Sequence, residues 1–204
     1  MKIGVFDSGV GGLAMVRALQ YALPNDSVVF RHDTPHMPYG TKSASEILEY
    51  ARPVLDKLVD DGCELIVITS FTLSTNHLTK LRAALPVPII GFEPMLGPAA
   101  EATQSKIIAV CASPRTLKSK RFAELKKRYA QHIKVIEPDC SLWSSMVESN
   151  RIDHERLRDM VDSVCDIGAD VIVIGTTQYP WIAAGIRQYA ANKAMVLTAE
   201  APVV

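Results

Sequence analysis

The sequence has no surplus of charge of either sign. Twenty-two Lys and Arg balance 22 Asp and Glu over 204 residues, and the isoelectric point lies near 7.0. Proteins that bind nucleic acid or an anionic membrane surface carry a basic surplus, so neither partner is expected. No apolar run reaches the roughly 18–20 residues needed to span a bilayer. Met1-Lys2 leads straight into a strand-like run, so no signal peptide is expected. The four cysteines, Cys63, Cys111, Cys140 and Cys165, form no C-x-x-C pair. Zinc and any other metal are therefore not expected, and a chain of this size needs no disulfide staple. Buried thiols in a reducing cytosol, and hence a cytoplasmic location, are the expectation. A G-x-G-x-x-G fingerprint is also missing, which argues against a dinucleotide site.

What is present is an alternation. Apolar runs at 2–6, 27–31, 64–69, 88–91, 106–111, 133–136, 170–175 and 194–198 read as strands. Stretches with helical periodicity lie between most of them, at 12–22, 43–60, 75–84, 95–103, 115–130, 153–167 and 180–189. Ser43 with Glu46 forms a capping box at the start of the second. This β-α-β-α order predicts an α/β fold with mainly parallel sheets.

The chain also reads as two similar halves. Leu65–Thr69 followed by Ser70-Phe71-Thr72 has a counterpart in Val171–Gly175 followed by Thr176-Thr177-Gln178. Asp7-Ser8, after the first strand, has a counterpart in Ser113-Pro114-Arg115-Thr116. Two pseudo-symmetric α/β domains with an interdomain cleft are expected. The predicted division is 1–93 plus 193–204 for the first domain and 94–192 for the second, with the last strand returning to the first.

The chain is organised around Ile3–Gly12, where an apolar strand ends in Asp7-Ser8 and a glycine-rich turn leads into a helix. Such a strand–turn–helix unit puts polar side chains and open N–H groups at the carboxyl edge of a sheet, where α/β proteins hold ligands. The loop Asp33–Gly40, rich in Pro and aromatic residues, reads as a rigid shaped loop. With Ser70-Phe71-Thr72 and Thr176–Pro180, these loops offer hydroxyls, amides, a phenol and a few acids, a set suited to a small zwitterion or polyol.

Asp7-Ser8-Gly9-Val10-Gly11-Gly12, Asp33-Thr34 with Pro38-Tyr39-Gly40-Thr41-Lys42, and Gly175-Thr176-Thr177-Gln178-Tyr179-Pro180 resemble, in order, the landmarks of glutamate racemases of the aspartate/glutamate racemase superfamily. The resemblance covers almost the whole chain. It implies two α/β domains with the active site between them, a small acidic amino acid or related carboxylate as ligand, a cell-wall role supplying D-glutamate, and no cofactor. In such enzymes one thiolate takes the α-proton and a second thiol returns a proton on the opposite face. The resemblance carries substrate-binding positions onto Asp7, Ser8, Pro38, Tyr39, Gly40, Phe71, Thr72, Ser113, Thr116, Glu148, Thr177 and Gln178. For each, a hydrogen bond that supports a strand end is the competing structural role. The family chain usually continues with a further helix, so an exposed apolar face and a homo-oligomer covering it are expected.

The departures bear on the chemistry. The family's two catalytic cysteine positions are Ser70 and Thr176 here, its substrate-binding Asn is Phe71, and the His beside the second thiol is Gln178. A thiol titrates near 8.5, whereas an alcohol lies closer to water at about 15.7. An alcohol therefore needs a partner base, and an amide cannot serve as one. These residues argue against ordinary two-thiol racemisation. They leave open an inactive binding or regulatory paralogue, or a different cofactor-free reaction using His36, Asp7 or Glu148. Cys111, near a strand end, is a candidate stand-in thiol.

Overall fold

The computed structural model describes residues 1–177 and 179–199, without the side chains of Glu148 and of residues 179–181. Gln178 and residues 200–204, with the roles expected for them, lie outside the described residues, as does the side chain of Glu148.

The chain divides into two compact units, Met1–Glu93 and Pro94–Ala199. The first carries strands β1 (Lys2–Asp7), β2 (Ser27–His32), β3 (Leu65–Ile68) and β4 (Ile89–Gly91), with helices α1 (Leu13–Ala22), α2 (Ala44–Asp60) and α3 (Phe71–Ala84). Its strands are all parallel, in the order β2-β1-β3-β4. The second carries β5 (Ile107–Ala112), β6 (Lys134–Ile136), β7 (Val171–Gly175) and β8 (Met195–Thr198). Its helices are α4 (Leu96–Ala102), α5 (Pro114–Leu117), α6 (Lys120–Tyr129), α7 (Trp143–Glu148), α8 (His154–Asp166) and α9 (Tyr179–Tyr189). The second sheet is also parallel and repeats the topology as β6-β5-β7-β8. The α/β class with mainly parallel sheets, expected from the alternation, is the fold observed.

Parallel strands covered on both faces must be apolar throughout. Ile3, Val5 and Phe6 of β1, and every residue of β7, are buried accordingly. Ile66 and Ile68 of β3 pack with Ile47 and Leu55 of α2 and Leu73 and Leu81 of α3. Ile108 and Val110 of β5 and Val173 of β7 pack with Leu96 of α4 and Phe122 of α6. Each such side chain contributes about 1.5–3 kcal/mol on burial.

Helix α7 lies where no helix is expected from the sequence, and three further local features differ from the expectation. First, β8 pairs with β7, from Val171↔Met195 to Ile174↔Thr198. Residues 195–198 therefore belong to the second sheet and do not return to the first. The crossover through α9 lays the chain beside the strand it has just left, the usual neighbour in a β-α-β unit. Second, α3 begins at Phe71 instead of 75, because the Ser70 side chain caps it by accepting from the Leu73 N–H. Third, the stretch 115–130 is two helices. Ser119 ends the first by donating to the Thr116 carbonyl and starts the second by accepting from the Phe122 N–H. The Ser43–Glu46 capping box forms as read, with Ser43 N donating to Glu46 Oε2 at 2.8 Å.

Candidate functional site

In each sheet the chain winds outward in both directions from the middle pair of strands. In the first, the connection from β1 goes one way to β2, and the connection from β3 goes the other way to β4. Outside the carboxyl ends of such a pair the flanking loops diverge and leave a crevice, the common ligand position in open α/β sheets. Asp7 ends β1, and Thr69-Ser70 follows β3.

Asp7 is fully buried. Its Oδ2 accepts from the Thr69 hydroxyl at 2.9 Å, and its Oδ1 accepts from the Ser8 hydroxyl and the Gly9 N–H at 3.3 Å each. A buried carboxylate requires such donors. The Thr69 hydroxyl also lies 3.0 Å from the Phe6 carbonyl, which ties β3 to β1 beneath the site. Gly12 is dictated by this cluster. A Cβ there would fall 3.0 Å from Asp7 Cβ, 3.0 Å from Thr69 Oγ1 and 2.8 Å from the Phe30 ring, so α1 can approach the site only without a side chain at this position.

The loop after β2 supplies a second cluster. Asp33 N donates to the Asp7 carbonyl at 3.2 Å, continuing the β1–β2 ladder one residue past the strand. Two 3₁₀ turns, Thr34–His36 and Tyr39–Thr41, then fold the loop back, joined through a cis Met37–Pro38 peptide. Both oxygens of the buried Asp33 carboxyl are engaged: Oδ2 accepts from the Tyr39 hydroxyl at 2.7 Å, and Oδ1 pairs with His36 Nδ1 at 2.7 Å. Burial, the hydrogen bond to Asp33 and the charges of Asp33 and Asp7 push the Tyr39 phenol far up, so it stays protonated and donates. The His36 ring stacks on Tyr50 of α2, with centroids 3.9 Å apart and planes within 4°, while its side chain remains 43% exposed.

At the third strand end, Ser70 is buried and its hydroxyl oxygen is the N-cap of α3. Phe71 is buried edge-on against Phe92, with centroids 5.6 Å apart and planes at 79°. The ring thus fills core space. Thr72 is buried in the first turn of α3.

The second unit has an analogous edge of its own. Ser113 caps α5, accepting from the Thr116 N–H at 3.2 Å, and the two hydroxyls lie 3.0 Å apart. Thr176 is half-buried and Thr177 buried, directly after β7. Cys111 is fully buried, with Sγ 3.9 Å from Met160 Sδ. A hydrogen bond with Cys111, then burial, pushes the neighbouring Cys140 thiol well up. A pair of thiols sealed in the core is a packing feature, not a stand-in base. Among the described residues no group of His, Cys, Asp and Glu has the geometry to hold a metal ion.

The sequence thus located Asp7, Ser8, Tyr39 and Ser70 at one sheet edge. It did not single out Thr69 or the double role of Asp33. Both act through hydrogen bonds between elements distant in sequence, and spacing carries no signal for those.

A family description for Asp/Glu/hydantoin racemase matches residues 3–203. Glutamate racemase of Deinococcus radiodurans is 36% identical over 193 residues, covering 92% of this chain and 67% of that enzyme. The enzyme of Methylococcus capsulatus is 37% identical over 192 residues, covering 92% and 71%. Among solved structures, Escherichia coli glutamate racemase, in complex with L-glutamate and the activator UDP-MurNAc-Ala, shares the fold with a TM-score of 0.89 at 24% identity, over 98% of this chain and 78% of that one. Francisella tularensis glutamate racemase, in complex with D-glutamate, has a TM-score of 0.81 at 26% identity, over 98% and 76%. With its residues matched almost from end to end, the chain belongs to the aspartate/glutamate/hydantoin racemase family.

Proposed function

We propose that this protein binds a small acidic amino acid at these strand ends and does not invert it by the two-thiol route. The observation that carries the reading is Ser70. The hydroxyl at the family's first thiol position is buried and spends its oxygen on capping α3. A thiol at a helix start is pushed toward its reactive thiolate, whereas an alcohol in the same field stays many units too weakly acidic. Phe71 has no amide to offer a ligand carboxylate.

The binding half of the site is supported by what remains. The first turn of α3 presents backbone N–H groups suited to a ligand carboxylate. Asp7 and Asp33 supply negative charge for an ammonium group. Glutamate is the ligand named for the Escherichia coli and Francisella tularensis relatives, so glutamate and aspartate are the first ligands to test.

Titration calorimetry with L- and D-glutamate and L- and D-aspartate, alongside circular dichroism of each enantiomer incubated with the protein, tests the reading. Binding without inversion is expected. Inversion of either amino acid would overturn the chemical half, and no heat of binding from any of the four would overturn the ligand.

A further inference from the structure

We infer that His36 is a general base for one-sided α-proton exchange on the bound amino acid, oriented by Asp33. The inference rests on the ligand reading above. Three contacts fix the imidazole. Nδ1 lies 2.7 Å from Asp33 Oδ1, the ring lies flat on Tyr50 at 3.9 Å, and the 3₁₀ turn Thr34–His36 holds the backbone. Asp33 is itself fixed, because its other oxygen accepts from the buried Tyr39 hydroxyl and its N–H donates to the Asp7 carbonyl.

A carboxylate only accepts, so Nδ1 carries the proton in the neutral ring. That leaves the lone pair on Nε2, in a side chain 43% exposed at the edge that also carries Asp7. A base held in the correct tautomer by a buried acid is the arrangement that activates histidine elsewhere. Lys42 Nζ lies 5.5 Å from the far partner of the stack, Tyr50, so the loop also carries a cation near the ring pair.

The step balances without a cofactor. Nε2 takes the α-proton, and the electron pair of the broken C–H bond passes into the ligand carboxylate as an enediolate. The imidazolium exchanges its Nε2 proton with solvent and returns a solvent-derived proton to the same face. The amino acid keeps its configuration and gains a solvent hydrogen. Such a base, working on one face, needs neither of the two missing thiols.

The experiment is loss of the α-proton NMR signal in deuterated water for each enantiomer of glutamate and aspartate, with binding measured in parallel by calorimetry. Exchange with retention is expected for one enantiomer. In His36→Gln it is expected to fall at least about 100-fold, the lower end of what a positioned base contributes, with binding within a few-fold of wild type. Imidazole added to His36→Ala is expected to restore part of the rate, which a merely structural role would not allow. His132→Gln, an exposed histidine of the second unit, is the control expected to exchange as wild type. Binding without exchange in the wild type, or exchange that survives His36→Gln, would overturn the role of His36 and leave the ligand reading standing. Absence of binding would overturn the ligand reading instead.

Discussion

The Tyr39 hydroxyl donates to Asp33 Oδ2 across 2.7 Å, and both side chains are almost completely buried. This bond joins the two 3₁₀ turns of the loop after β2 and sets the carboxylate that faces His36. Tyr39→Phe would keep the ring's packing against Phe6 but leave a desolvated carboxylate oxygen without its donor. The variant is expected to lose about 1–3 kcal/mol of unfolding free energy, read from urea denaturation. A loss within error would mean that water replaces the phenol at no cost.

Ser70 acts as the N-cap of α3, its hydroxyl accepting from the Leu73 N–H. Ser70→Ala is expected to destabilise by about 0.5–2 kcal/mol, and Ser70→Gly by only a few tenths. Thermal melts of the two variants check the order. Equal losses would show that the hydroxyl does something other than cap α3.

On the proposed reading, placing thiols at Ser70 and Thr176 is expected to be insufficient by itself. Ser70→Cys with Thr176→Cys supplies the two sulfurs but leaves Phe71 packed on Phe92. Polarimetry on D-glutamate should therefore show much less inversion for the double variant than for one that also carries Phe71→Asn and Gln178→His. Equal rates in the two would show that Phe71 and Gln178 do not limit the reaction.

Asp170 organises the turn before β5. It accepts from the Thr103 hydroxyl at 2.5 Å and from the Gln104 and Ser105 N–H groups at 2.7 Å each. Partial burial pushes its carboxyl up, but the hydrogen bonds from Thr103, Ser105 and Gln104 outweigh it and bring the group down to about 2. The ordinary value is about 3.9, so the folded state binds fewer protons than the unfolded one between these limits. The stabilisation is complete above about pH 4 and is lost as pH falls toward 2. Asp170→Asn should lower the melting temperature at pH 7 and flatten the acid limb of the stability curve. An unchanged acid limb would assign it to other carboxylates.

His77 of α3 is buried, and burial pushes its pKa down against the opposing effect of a hydrogen bond to the Ala44 backbone. The unfolded state therefore takes up the proton first as pH falls through about 6.5. Wild-type stability is present above that value, declines below it, and levels off beneath the lowered folded pKa. His77→Leu removes the titrating ring and is expected to show a smaller fall in melting temperature from pH 7.5 to 5.5. An equal or steeper fall would show that another histidine governs this range.

The sequence by itself determined the two runs of parallel strands, because strands buried on both faces must be apolar and helices over them must be periodic. It also determined the capping box at Ser43 and the polar ends of β1, β3 and β7, since these are written in adjacent residues. Tertiary structure alone decided where β8 pairs, because its apolar run fits the edge of either sheet and only the crossover through α9 selects one. It decided that Phe71 packs as core against Phe92, and that Cys111 is sealed beside Met160. It also decided that Asp33 holds both Tyr39 and His36. These are meetings of side chains from separate elements, fixed by packing and hydrogen-bond geometry that no spacing along the chain encodes.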